Sequence, residues 1–544
     1  MFTRLRLAVV ASLAVACASA QPHAPAVDVT APPGDAADAG GAVDAGPGRA
    51  QPTPAWLPNA VIYEIFARSF ADSNGDGTGD LDGITAHLDY LSSLGVNAVW
   101  LTPIHPTPSD HGYDVTDYDH VAPDLGGDAA LDRLLTAVHG RGMKLLLDGV
   151  FNHTSNKHPW FLDAQKADSK LRDRYVWQAA QPDGWSKPWG GPVWYALNGG
   201  FYYGLFSDRM PDLNYRSADT QAAIIAVTLG WLARGVDGFR LDAARYLAEN
   251  GPQAVADQPE TQAFWKSLRA SASSRYPQAA LVGEVWVDNT TELTYAGMGD
   301  ELNAAFDFDL SSAFIQSINN QDPGPLKGAL DRLANAPAGF LAPFLTNHDQ
   351  DRFASQVNGD EPSMFLGPKL LLALPGPVVI YYGEELGLKN GLQAGDARKR
   401  TPMQWTAGPN AGFSAGTPYR APNSDAATVN VQTESTTSGS LLSTYQQLVA
   451  ARQSSEVLRV GTLRMLDVPA PLLAFARGSD EHAVVCVFNL SATQTKHATI
   501  TWPGKPPTDA LIDLAHPDRP APSLSNGVLN LDVGSRGGSW LTAR

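Results

Sequence analysis

Four acids stand at comparable places in this chain. Asp148 closes the apolar run KLLLDGV, Asp242 follows VDGFRL, Glu284 closes ALVGEV, and Asp349 lies in LTNHDQDR just behind FLAPFL. Arg240, Asn152, His153 and His348 accompany them. A single acid after an apolar run is most simply a helix N-cap or a loop charge. Four at equivalent places, with arginine and histidine nearby, point to one reactive mouth. Neighbouring carboxyls repel when ionised, which raises at least one pKa, while a fixed arginine or histidine can hold another as the anion. A protonated acid beside an ionised one is what glycosidic cleavage needs. One carboxyl protonates the leaving oxygen, the other attacks the anomeric carbon, and a separation of about 5–5.5 Å gives retention of configuration.

Such acids need elements to position them. Eight short apolar runs read as strands: VIYEIF from 61, VNAVWL from 96, KLLLDGV from 144, VDGFRL from 236, ALVGEV from 280, NAAFDF from 303, FLAPFL from 340 and PVVIYY from 377. Between them lie amphipathic stretches such as LDGITAHLDYLSSLG, ALDRLLTAVHGRG and DTQAAIIAVTLGWLARG, the last two closing on glycine where a helix would stop. This alternation predicts an α/β fold, a parallel (β/α)8 TIM barrel over residues 54–153 and 216–457, with its reactive groups at the C-terminal ends of the strands. Residues 154–215, rich in Trp, Pro, Gly and Tyr, are too long for a plain connection and predict a small inserted domain beside the site. After SLLSTYQQLVAARQ the pattern changes to short alternating runs such as PLLAFAR and AVVCVFNL, predicting a C-terminal antiparallel β-sandwich over 458–544.

A length of 544 residues requires more than one core, in line with this division. The net charge of −17 disfavours nucleic acid or an anionic membrane surface as a partner. Many of the tryptophans and tyrosines lie near Gly, Asp and Asn and could stack on sugar rings, although ordinary core packing accounts for most of them. The N-terminus has Arg4 and Arg6, an apolar run from Leu7 to Ala16 and then small residues: an export signal over 1–20, too short to span a bilayer. Cleavage falls either after Ala20 or before Cys17, where LAVAC resembles a bacterial lipobox with Ala14 weaker than the usual leucine. The expected destination is secreted or periplasmic, with lipid anchoring at Cys17 as the alternative. If Cys17 is lipidated or removed, Cys486 is the remaining thiol and no disulfide staples the fold. Residues 21–53 are Ala, Pro, Asp and Gly with hardly any bulky apolar side chain, the composition of a disordered tether. A monomer is expected.

DSNGDGTGDLDGI at 72–84 places Asp72, Asn74, Asp76 and Asp80 at alternating positions with glycines between them. Oxygen side chains so spaced can converge on a hard cation, but the same dipeptides are common turn signals. Gly83 stands where an EF-hand needs its bidentate glutamate, which disfavours helix–loop–helix calcium sensing.

The stretches DGVFNHTS from 148, GFRLDAARYL from 238, GEVW from 283, TNHDQDR from 346, MPDLNY from 210, VNAVWLTPIHPTPSDHGYDVTDY from 96, PGPVVIYYGEELGL from 375 and RTPMQW from 400 together resemble the α-amylase family, glycoside hydrolase family thirteen. The resemblance covers roughly residues 55–460 in the right order. It implies Asp242 as nucleophile, Glu284 as acid and then base, and Asp349 as the carboxylate gripping the distorted sugar. It also implies Arg240 holding Asp242 ionised, His153 and His348 as hydrogen-bond donors to the sugar, Tyr113 as its stacking platform and His111 reaching the same ring. Asp148 and Asn152 are expected to support the site. In relatives with DxNxDGxGD after the first strand, the loop binds one structural calcium ion. Here the ligands would be Asp72, Asn74, Asp76, Asp80 and the carbonyl of Thr78.

MPDLN and the export signal favour an α-amylase-like enzyme hydrolysing α-1,4 bonds in starch or maltooligosaccharides. Asp114 in HGYD and Arg352 in HDQDR resemble the pair that closes the site behind a terminal glucose in α-glucosidases, so an exo-acting α-glucosidase or oligo-1,6-glucosidase is the alternative. Transglycosylation is open to either, since a retaining intermediate can be intercepted by a sugar hydroxyl. A binding protein that kept the barrel and lost the chemistry would lack an acid, and all three are present.

Overall fold

A computed structural model describes residues 50–287 and 290–544. The expected export signal, Cys17 and most of the expected tether lie outside the described residues. The strands in chain order are β1 (Val61–Ile65), β2 (Ala98–Leu101), β3 (Lys144–Gly149), β4 (Trp177–Gln178), β5 (Trp194–Leu197), β6 (Gly200–Tyr203), β7 (Gly238–Leu241), β8 (Ala280–Gly283), β9 (Ala304–Phe306), β10 (Leu341–Ala342) and β11 (Val378–Tyr381). Eight of them form one parallel sheet in the order β10-β9-β8-β7-β3-β2-β1-β11. A parallel bridge between Phe344 and Val379 closes this sheet into the expected barrel. The seventh strand is only two residues long because Pro343 has no N–H to donate; its carbonyl instead accepts from Val379 N at 2.9 Å.

Alternation along the strands fills the barrel and sets the site. Ile62, Trp100, Leu146, Val282, Phe306 and Val379 point inward and pack together. Two residues further on, the same parity turns Glu64, Asp148 and Glu284 inward, and Arg240 and Asp242 follow Gly238 in the same way. Asp148 lies directly beside Arg240 in the β3–β7 register. The helices are punctuated as the sequence suggests. Ala218–Arg234 begins with the Ser217 side chain accepting from Thr220 N and ends at Gly235 with φ 110°.

Between β3 and β7, strands β4, β6 and β5 form a small antiparallel sheet, the inserted layer beside the barrel mouth. After the helix Leu441–Ser454 come β12 (Leu463–Leu466), β13 (Leu472–Gly478), β14 (Ala483–Asn489), β15 (Lys496–Thr501), β16 (Leu511–Asp513), β17 (Leu524–Ser525), β18 (Val528–Val533) and β19 (Gly538–Ala543). They form two antiparallel sheets, β12-β13-β14-β19-β16 and β15-β18-β17, packed over Ala474, Val485, Val487, Ile500 and Leu529. Cys486 is buried and free. Arg452, fully buried, donates to the carbonyls of Leu372, Gly376 and Leu458, tying the last barrel helix to its neighbours.

The last residues of the expected tether are held by the barrel. Gln51 N donates to Gly299 O at 2.8 Å, and Arg269 Nη2 donates to Pro52 O at 2.7 Å. Ala55 N and Trp56 Nε1 both bond to Gln278. Gln278 and Gly299 precede β8 and β9, so residues 51–56 are fastened across the N-terminal end of the barrel, where Trp56 packs against the interior cluster. Among the described residues no helix is long and apolar enough to cross a membrane.

Candidate active site

A cavity of ≈ 1070 Å³ opens at the C-terminal ends of the strands, and Asp242, Glu284 and Asp349 all line it. One guanidinium organises the first two. Arg240, 1% exposed, donates through Nη1 to Asp242 Oδ1 at 2.7 Å and to both Asp148 oxygens at 2.8 and 3.0 Å, while its Nη2 lies 2.9 Å from Glu284 Oε1. Asp242 and Glu284 are therefore neighbours across a single side chain, the closeness a double displacement requires. Glu284 Oε2 accepts from Ala243 N at 2.9 Å, and Ala243 is held at φ 49° to present that amide.

Burial pushes Asp242 up to about 7; Arg240 opposes the rise and Asp148 adds to it. Arg240 thus limits the protonation of Asp242 rather than abolishing it. Burial raises Glu284 too, against Arg240, with Asp242 and Asp349 reinforcing the rise. Asp349 differs. Burial works against its charge, but His348 and Arg400 hold its carboxyl far below the usual range. Their contacts are direct, His348 Nε2 at 3.2 Å from Oδ2 and Arg400 Nη2 donating to Oδ1 at 2.6 Å.

The remaining expected residues divide into those that face the cavity and those behind its wall. His111, Tyr113, Asp114 and His153 line it. The Tyr113 ring lies beside those of His111 and His348, and its hydroxyl bonds to Asp148 and His348 at 3.0 and 2.6 Å. Asp114 accepts from the Thr107 hydroxyl at 2.6 Å and from Ser109. Three of the expected residues turn their N–H groups to protein partners. His348 is 0% exposed and braces Asp349 from behind. His153 is pushed down to about 4 by burial, so its ring is neutral, and its one proton sits on Nε2 because the Tyr113 carbonyl at 2.8 Å can only accept. It offers the cavity a ring edge and no N–H. Arg352 is buried away from the cavity, donating to Tyr382 O at 2.7 Å over the rings of Tyr381 and Tyr382.

The guanidinium that does reach the site is Arg400, first residue of RTPMQW, with Arg420 beside it paired to Asp110. The sequence marked the motif without a role for this arginine. Trp189, Phe206, Tyr246 and Trp286 also line the cavity. Glu64, a lone acid inside VIYEIF, was missed although an acid in the middle of a parallel barrel strand must be buried.

In the loop at 72–80, Asp72 accepts from the amides of Asn74, Gly75 and Gly77, Asn74 and Asp76 each accept from the amide two residues on, and Asp80 caps the next helix through Gly83 N. Gly77, at φ 95°, runs so close to the 414–419 segment that a Cβ would stand 2.1 Å from Thr417 O. Among the described residues no three His, Cys, Asp or Glu side chains form a metal-holding group. The donor set of Asp72, Asn74, Asp76, Asp80 and the Thr78 carbonyl is all hard oxygen, the type calcium takes.

A family model described as alpha amylase, catalytic domain, matches residues 64–461. The trehalose synthase/amylase TreS of Mycolicibacterium smegmatis is 34% identical over 517 residues, covering 83% of this chain and 87% of its own. Alpha-amylase 3 of Dictyoglomus thermophilum is 34% identical over 443 residues, covering 80% of this chain and 85% of its own. Among solved structures, the alpha-glucosyl transfer enzyme XgtA matches with a TM-score of 0.79 and 31% identity, over 90% of this chain and 99% of its own. With the family's barrel, its acids at the strand ends and these matches along most of its length, the chain belongs to the α-amylase family, glycoside hydrolase family thirteen.

Proposed function

We propose that this protein cleaves α-1,4-glucosidic bonds at the chain ends of maltooligosaccharides by double displacement, passing the glucosyl group to water or to a sugar hydroxyl. The observation that carries the chain-end reading is the charged wall on one side of the acids, where Asp114, the Asp349–Arg400 pair and the Asp110–Arg420 pair stand together. Asp110 belongs to the loop after β2 and Arg420 to the segment after β11, so their pairing straps the cavity across the end of β1. A strapped wall suits one terminal glucose better than a chain running through.

In the first step the Asp242 carboxylate attacks C1 while Glu284 gives its proton to the glycosidic oxygen; the C1–O bond breaks and the leaving sugar departs with that proton. Glu284, now a carboxylate, takes a proton from water or an acceptor hydroxyl, whose oxygen attacks C1 and releases Asp242. Both carboxyls are raised by burial and they repel each other, which suits a pair sharing one proton. Asp349, held anionic, accepts from sugar hydroxyls as positive charge develops on the ring.

A second reading, internal cleavage of starch, is favoured by Trp189 and Trp286, 55% and 45% exposed at the mouth, where flat rings can stack further sugars. Product analysis on maltoheptaose, isomaltose, trehalose and soluble starch separates the two. Glucose or transfer products alone support the first reading, and mixed short oligosaccharides with a rapid viscosity drop support the second. Glu284→Gln or Asp242→Asn retaining near-normal cleavage would overturn both. We also propose that the 72–80 loop binds one calcium ion that braces it against the 414–419 segment, a role supported by its donor chemistry.

A further inference from the structure

We infer that Glu64 is a positioning residue of this site: it keeps both ring nitrogens of His348 donating, and through that ring it fixes Asp349 and the direction of the Tyr113 hydroxyl. The inference rests on the reading of the cavity as a glycoside-cleaving site.

The geometry leaves the ring little choice. Glu64 is 0% exposed, and its Oε1 lies 2.6 Å from His348 Nδ1. On the opposite edge Nε2 lies 2.6 Å from the Tyr113 hydroxyl and 3.2 Å from Asp349 Oδ2. Ionised carboxylates only accept hydrogen bonds, so a ring serving Glu64 on one side and Asp349 on the other must carry two protons. A neutral ring would abandon one of these acids. Among the described residues no lysine or arginine forms an ion pair with Glu64, and His348 is its counter-charge. Once Nε2 donates to the tyrosine oxygen, the phenolic proton turns to Asp148 Oδ2 at 3.0 Å, and Asp148 also takes two bonds from Arg240. One chain of hydrogen bonds therefore runs from Glu64 inside the barrel to Arg240 beside the nucleophile. The other groups facing the ring are the Trp100 edge and Arg400, whose Nε donates to His348 O at 3.0 Å. Burial opposes a charge on this imidazole, and Asp349 and Glu64 together carry it up to about 9.

The test is nitrogen NMR of the His348 ring in wild type, Glu64→Gln and Glu64→Asp, with kinetics on a short maltooligosaccharide across pH. Wild type is expected to show both nitrogens protonated at neutral pH. Glu64→Gln is expected to show a neutral ring and a kcat about 10- to 100-fold lower, with the loss deepening as pH rises, while KM moves less than about threefold. Glu64→Asp restores the charge and with it the doubly protonated ring. A neutral ring in wild type overturns the inference, as does a Glu64→Gln loss that is uniform across pH with the ring state unchanged. Should Glu64→Gln fail to fold, the wild-type resonances decide. A doubly protonated ring in a protein that cleaves no α-glucoside would sink the functional reading and leave this one standing.

Discussion

Arg240→Lys keeps a positive charge in the barrel and removes the fork. The guanidinium makes four contacts to three carboxyls within 3.0 Å, two to Asp148 and one each to Asp242 and Glu284. An ammonium is a point charge on a flexible stem and cannot reach all three acids at once. Losing two contacts, at about 1.5–3 kcal/mol for each charged hydrogen bond, amounts to about 3–6 kcal/mol. At about 1.4 kcal/mol per decade this is a fall in kcat/KM of about two to four powers of ten if the contacts matter equally in the transition state. The assay is hydrolysis of an aryl α-glucoside alongside maltotriose. An aryl leaving group needs little protonation, so a loss equal on both substrates places the damage at Asp242, and a larger loss on maltotriose places it at Glu284. Melting must be followed in parallel, because unpaired acids would then be buried. A folded Arg240→Lys enzyme within about fivefold of wild type on both substrates would refute the shared-fork argument, since even one lost charged contact is worth about tenfold.

Three further outcomes are expected. Melting temperature should fall as pH rises through the window from 6.5 to about 9, because His348, raised from 6.5 to about 9, contributes stability that is complete below 6.5 and lost above its folded value. Asp148 and Asp242, raised from 3.8 to about 6 and about 7, act in the same direction but lose their contribution below about pH 7, at or under the foot of this window, and Asp349, held low, has made its contribution well below it; calorimetry showing a flat profile from pH 6.5 to 9 would contradict this. Asp110→Ala should shift maltoheptaose products from glucose toward longer fragments by opening the wall, with melting nearly unchanged because a half-exposed pair is worth no more than about 1 kcal/mol; chromatography giving the wild-type product ratio would remove the strap from the specificity argument. Chelation should lower the melting temperature by several degrees while altering the rate of the intact enzyme less than about twofold, since bound calcium stabilises only the folded chain; unchanged melting after verified calcium removal returns the loop to a plain turn.

The acids were legible because strand alternation is a local rule: a residue two places beyond a buried inward side chain also points inward. Asp148 and Glu284 follow from that count, and so does Glu64, overlooked because it stands inside its apolar run instead of at the end. Direction across loops is not a local rule. Arg352 and Arg400 both lie near the seventh and eighth strands, and nothing in their neighbours tells which guanidinium turns into the cavity. Arg352 is caught by the Tyr382 carbonyl and two rings, leaving Arg400 to hold Asp349. Nor does the sequence show that His348 stands behind the wall, since its partner Glu64 is 284 residues away in the chain. Pro343 shows the reverse: its missing amide is visible in the sequence and explains the shortened seventh strand.

The fastening of residues 51–56 beneath the barrel also sets how the enzyme meets its surroundings. The first described residues stand on the face opposite the mouth, beside Gly299 and Gln278. Bulk joined directly at residue 50 meets the closed end and leaves the open end clear. A partner fused directly at residue 50 should therefore preserve turnover where coupling through the inserted layer would obstruct it.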